Sequence, residues 1–126
     1  MTGGQLRVPQ IWELISDNPE ERLIVYGSLA PGGANNFILA RLEGTWQKCI
    51  IRGHMGRYRG FKVFRHDPDG EAHQAWLFSS PLLPQKYPDL DDFEGDEYRR
   101  ILIPAVVDGQ EILAYIYEGR YFDQNG

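Results

Sequence analysis

The chain has 126 residues and a mass of 14.5 kDa, which fits one domain around one core. Hydrophobic residues make up 42% and charged residues 25%, a globular mix that argues against a disordered chain. The net charge of −5, with no lysine or arginine block, argues against a protein built to follow a phosphate backbone.

Cys49 is the only cysteine, so no intrachain disulfide is possible and a reducing compartment fits. A lone cysteine also lacks zinc-ligand spacing. No segment approaches the roughly 20 apolar residues of a membrane span, and the N-terminus has no secretory pattern, so the expectation is a cytoplasmic protein.

Val8, Ile11, Trp12 and Ile15 repeat at helical spacing, Pro9 suits a helix start and Asn18-Pro19 a stop, which predicts a short amphipathic helix over about residues 9–17. Residues 1–21 then form an N-terminal extension to a domain over residues 22–126. Leu23-Ile24-Val25-Tyr26 is wholly apolar and reads as a strand buried on both faces. It breaks at Gly27-Ser28, and a glycine-rich loop leads to a helix with Phe37, Ile38 and Leu42, which Asn35 is placed to cap and Gly44 to close. Thr45–Arg52 reads as a strand ending at Gly53. Arg52, His54, Arg57, Arg59, Lys62, Arg65 and His66 make a locally basic stretch, best read as strand residues facing solvent.

Phe61–His66 and Ala72–Phe78 flank Asp67-Pro68-Asp69-Gly70, which predicts a hairpin. Pro84 and Pro88 punctuate the next stretch, with a short helix near Asp89–Phe93. Tyr98–Val107 and Glu111–Glu118 flank Asp108-Gly109, the strongest hairpin signal in the chain. Ile112, Ala114 and Ile116 share one face of the last strand, and Leu113, Tyr115 and Tyr117 the other. Two apolar faces suit a small closed sheet. Pro104 points to an edge or a bulge in its strand. The sum is an α+β chain of five to six strands with two or three short helices.

Two patches carry chemistry. In Tyr26-Gly27-Ser28-Leu29-Ala30-Pro31-Gly32-Gly33, a strand breaking at glycine frees backbone N–H groups suited to a carboxylate or phosphate. A nucleotide P-loop fails, because Gly33 and Ala34 stand where Lys and Ser/Thr are required. From the loop alone, a tight turn needing glycine explains the residues equally well. The second patch is Leu90-Asp91-Asp92-Phe93-Glu94-Gly95. Its spacing does not suit calcium. Glu94 falls at a helix C-terminus, where the dipole and any burial raise a carboxyl pKa toward the range useful for proton transfer. An exposed helix-end acid is the plain alternative. His54, His66 and His73 have no metal-binding spacing, and no serine or cysteine stands in a nucleophile motif.

Taken together, Tyr26-Gly27-Ser28-Leu29 with Gly32 and Asn35, then Leu90-Asp91-Asp92-Phe93-Glu94-Gly95 followed by Tyr98-Arg99-Arg100, resemble the gamma-glutamylcyclotransferase-like (AIG2-like) family over about residues 22–118. The sequence departs from that pattern at Asn36, at Phe61-Lys62 in place of an aromatic-proline pair, and at His73-Gln74. The resemblance implies a small mixed β-barrel in which loop and acid share one cavity. It implies cyclisation of a γ-glutamyl compound to 5-oxoproline with release of an amine or amino acid. Glu94 would be the general acid/base, with Tyr26, Gly27, Ser28, Leu29, Arg100 and Tyr117 binding substrate. Neither metal nor cofactor is required. The expected partner is a small γ-glutamyl molecule rather than nucleic acid or membrane, and the protein a monomer or weak homodimer. Two further readings keep the residues but not the reaction: a binding or regulatory domain using the same cavity, and a docking protein presenting Trp12, Phe61 and Phe64.

Overall fold

A computed structural model describes residues 18–122; the helix expected over residues 9–17, and Trp12 with it, lie outside the described residues. Six strands follow a short 3-10 turn: β1 (Arg22–Val25), β2 (Thr45–Tyr58), β3 (Phe61–His66), β4 (Glu71–Ser79), β5 (Tyr98–Val107) and β6 (Gln110–Gly119). Two helices are α1 (Phe37–Ala40), between β1 and β2, and α2 (Leu83–Glu94), between β4 and β5. β4 pairs with both β2 and β1, β1 runs parallel to β6, and β6 pairs with β5. A bridge between Ile50 and Val106 joins β2 to β5 and closes the ring, so five strands form a barrel with β3 added on β2. Pro104 sits in β5, whose second edge meets β2 only at that bridge, a place where a missing N–H costs little.

Alternation along β1 explains its continuous apolar run. Ile24 points into the barrel with Cys49, Ile51, Phe64, Leu77, Ile103 and Ile116. Leu23 and Val25 point outward into a second core with Leu39, Phe78, Leu83, Tyr87 and Leu90. The strand is therefore covered on both faces, as its sequence predicts. β6 divides the same way, with Ala114 and Ile116 inside and Tyr117 outside. Phe64 is fully buried in the barrel, which removes it from any docking surface, whereas Phe61 is 62% exposed.

Two expectations are corrected at the β2–β3–β4 sheet. β2 does not end at Gly53 but continues to Tyr58, because Gly53 pairs with both Glu71 of β4 and His66 of β3. A Cβ there would strike the Arg65 carbonyl and the Phe64 ring, so only glycine lets the ladder pass from one partner to the next. Asp67–Gly70 is a turn but not a hairpin, since β3 and β4 both run antiparallel to β2, one after the other. The reversal lies instead at Arg59-Gly60, with φ of 52° and 86°, the left-handed pair that suits the strand twist. Asp108-Gly109 reverses the chain in the same way, at 51° and 79°, where its sequence predicts. The basic residues Arg52, Arg57, Arg59, Lys62 and Arg65 are all solvent-exposed on this sheet.

α2 is longer than the prolines suggest. Pro84 occupies its first turn, where a missing N–H is harmless, and Leu83, Tyr87 and Leu90 bury one face at helical spacing despite Pro88 inside. Among the described residues no helix is long and apolar enough to cross a membrane.

Candidate active site

β1 delivers the chain to the rim of the barrel at Tyr26. The Tyr26 hydroxyl donates to the Tyr117 carbonyl on β6 (2.6 Å) and accepts from the Phe64 amide on β3 (3.2 Å), so the loop begins at a fixed point. Beyond it the loop's carbonyls are taken up internally. Gly27 O accepts from the Ala30 amide (3.0 Å), Ser28 O from the Asn35 amide (2.8 Å) and Leu29 O from the Asn36 side chain (2.9 Å). The amides of Gly27, Ser28 and Leu29 have no backbone acceptor among the described residues. With carbonyls bonded and amides uncommitted, the loop is a donor surface suited to an anion. The asparagines therefore serve the loop and not the helix: α1 has only four residues, and its start has no side-chain cap. A helix this short contributes little dipole, so the donors are the loop's own amides.

Gly33 holds the far side of this loop against its near side. A Cβ at that position would lie 2.7 Å from the Ser28 carbonyl carbon and 2.8 Å from the Gly27 oxygen.

Glu94 is the last residue of α2, and the chain leaves the helix at Gly95 with φ of 73°. Its carboxyl is half-buried and lines one cavity of about 60 Å³ together with Tyr26, Gly27, Ser28, Leu29 and Tyr117. Among the described residues no cation or hydrogen-bond donor meets it. Burial without compensation pushes its pKa from 4.5 up to about 7. The cause is desolvation by the cavity walls. The same burial raises Tyr98 to about 12, with Glu94 and Glu97 adding to it, and drives Tyr26 and Tyr117 further up still. These phenols remain protonated, and among the described residues lining the cavity Glu94 is the group shifted to near neutrality.

Arg100 is the one expected pocket residue that does not line this cavity. Its guanidinium grips Asp91 through two hydrogen bonds (2.9 and 3.1 Å) and lies against the rings of Tyr87 and Tyr115, 4.1 and 4.6 Å from their centroids. Asp91 also accepts from the Tyr117 hydroxyl (2.6 Å), and its own pKa is lowered mainly by Arg100. Arg100 thus braces α2 against β6, with Tyr117 between brace and cavity. Asp91→Ala is expected to lower thermal stability by about 1 kcal/mol and to weaken activity through a freed Tyr117 ring, read from melting curves and initial rates.

Five lining residues lie outside the expected site: Ile24 and Val25 of β1, Phe61 and Lys62 of β3, and Tyr98 of β5. Tyr98 donates to the Lys62 carbonyl (2.9 Å), tying β5 to β3 across the cavity mouth. The Tyr98 that follows the acidic patch was a visible signal. Phe61-Lys62 stands out in the sequence only as a departure from the family pattern, and it comes beside the loop because β3 reaches the rim through the unexpected turn at Arg59-Gly60.

Residues 23–125 match the protein family described as Gamma-glutamyl cyclotransferase, AIG2-like. No curated protein sequence matches the chain. Among solved structures, a protein of Arabidopsis thaliana superposes with a TM-score of 0.65 at 18% identity, over 83% of this chain and 72% of that one. YkqA from Bacillus subtilis gives 0.62 at 18% identity, over 81% of this chain and 36% of that one. An aig2-like protein from Mus musculus gives 0.58 at 13% identity, over 83% of this chain and 80% of that one. At these identities the likeness is one of fold.

Proposed function

The chain belongs to the gamma-glutamyl cyclotransferase, AIG2-like family, and from that premise we propose that it cyclises a γ-glutamyl compound to 5-oxoproline, releasing an amine or amino acid. The observation that carries this reading is the meeting of Glu94 and the Tyr26–Leu29 loop in one partly shielded cavity.

Each half of the reaction has a group suited to it. The loop amides receive the substrate α-carboxylate and donate to the γ-carbonyl oxygen as it becomes an oxyanion. Folding the glutamyl chain so that its α-nitrogen meets its γ-carbon removes the entropy cost of a bimolecular encounter. Glu94, as carboxylate, takes a proton from the α-ammonium. The freed amine attacks the γ-carbon and the N–Cγ bond forms. Glu94 then returns that proton to the leaving nitrogen as the old amide bond breaks, and it relays the second proton of the attacking nitrogen the same way, so the ring keeps one N–H, the released amine departs as its ammonium, and protons balance over the cycle. An amine near pKa 8 exchanges poorly with an ordinary carboxylate, and a carboxyl raised to about 7 narrows that gap.

The decisive experiment is release of 5-oxoproline from a panel of γ-glutamyl amines, γ-glutamyl amino acids and glutathione. Turnover of none by the pure protein overturns the reading. The pH profile is a second check. Because the base form of Glu94 is required, kcat/KM is expected to rise with unit slope up to about pH 7 and to level off above it, until the substrate amine itself deprotonates. A flat profile between pH 5 and 7 excludes Glu94 as the base.

A further inference from the structure

The chemistry above uses the loop for one end of the glutamyl group and Glu94 for its nitrogen, which leaves one charged lining residue without a task. Lys62 lines the cavity, and its Cβ is the nearest atom to a Cβ built on Gly27, at 3.9 Å. Its stem therefore flanks the first residue of the loop. Its backbone is held by the Tyr98 hydroxyl, 2.9 Å from its carbonyl. Among the described residues its ammonium has no carboxylate, carbonyl or aromatic partner, whereas Arg99 and Arg100 nearby are held by Glu118 and Asp91. Beside it Phe61 is 62% exposed and also lines the cavity. The rim on the β3 side thus offers a cation on a tethered stem next to an apolar ring.

We propose that Lys62 receives a carboxylate carried by the leaving group, so that γ-glutamyl amino acids and peptides are favoured over γ-glutamyl derivatives of uncharged amines. The inference rests on the cyclotransferase reading and deepens it. The charge balance supports it. The α-carboxylate and α-ammonium of the substrate cancel and are met by the loop and Glu94. A leaving amino acid brings one further negative charge into a cavity whose only lining carboxylate among the described residues, Glu94, repels it, in a chain of net charge −5. Lys62 is the lining residue that offsets that charge. Phe61 covers the leaving residue's side chain. A lysine suits this place better than an arginine, because its long stem and compact charge follow leaving groups of different length.

The test compares γ-glutamylglycine with γ-glutamylglycinamide, which match in size and differ in one charge. The unmodified protein is expected to favour the free acid roughly fivefold in kcat/KM, the scale of an ion pair at a surface, with the preference shrinking as salt is added. Lys62→Met is expected to remove that preference chiefly through KM, and Lys62→Arg to keep part of it. An equal loss on both substrates places Lys62 on the α-carboxylate and overturns the proposal, as does no change on either. If neither substrate turns over, calorimetric titration of the same pair separates the two ideas. Tighter binding of the free acid that Lys62→Met abolishes upholds Lys62 while the cyclotransferase reading fails, and binding without preference overturns both.

Discussion

Glu94→Gln is expected to lower kcat for 5-oxoproline release on the order of a thousandfold, with a much smaller change in KM. Glutamine keeps the size and the hydrogen-bonding reach of the side chain but can neither take nor return a proton. The same substitution is expected to stabilise the protein at neutral and alkaline pH. Burial raises the folded-state pKa from 4.5 to about 7, so the folded chain holds this proton more tightly than the unfolded chain does. Between those values the unfolded state loses the proton first, and stability falls as pH rises. Above about pH 7 the whole penalty of burying the carboxylate is present, on the order of 2 kcal/mol once partial solvent access is allowed for. Melting curves should therefore coincide for the two proteins near pH 4, separate through pH 5 to 7 with the glutamine variant higher, and stay separated beyond. A glutamine variant that still releases product at an ordinary rate removes Glu94 from the reaction. One that is inactive and no more stable at pH 8 removes burial as the source of the shift.

Gly33→Ala is the second large effect, and it acts through shape alone. The added methyl would sit 2.7 Å from the Ser28 carbonyl carbon and 2.8 Å from the Gly27 oxygen, both backbone atoms that no rotamer change can move aside. The loop has to shift, and the Ser28–Asn35 hydrogen bond shifts with it. A displacement near 1 Å at groups that position a reacting substrate costs about a hundredfold in rate, and strain of this kind costs about 1–3 kcal/mol of stability. Gly32→Ala provides the contrast. Its φ of 85° makes alanine unfavourable there, yet nothing lies within 4 Å of the new Cβ. Melting temperatures should fall for both variants, while kcat/KM collapses only for the first. Equal kinetics in the two would show that the loop's position does not matter.

What could be read in the sequence was local. The apolar run at Leu23–Tyr26, the divided faces of β6 and the turn at Asp108-Gly109 each follow from nearest-neighbour chemistry, and the structure reproduces them. The association of the glycine loop with Glu94 came from the resemblance, and the cavity brings the two together. The missed features depend on partners far along the chain. Arg59 at φ of 52° is not a residue that announces a left-handed turn; its guanidinium lies over the neighbouring Tyr58 ring and pairs with the distant Glu97, a contact that only the folded barrel supplies. Asp67–Gly70 has every mark of a hairpin and is held instead by Arg52 and His54 of the neighbouring strand. α2 tolerates Pro88 because Leu83, Tyr87 and Leu90 bury a face against β1, a gain invisible to propensity.

The hydroxyl of Tyr26 sets an order of events for the chain as it folds. Its acceptor, the Tyr117 carbonyl, is 91 residues away, and its donor, the Phe64 amide, is 38 away. Both closures lose chain entropy before they return any binding energy, the kind of contact that slows a folding reaction. The two ends of the domain must therefore meet before the loop acquires its anchor, and a nascent or partly collapsed chain has no anchored loop.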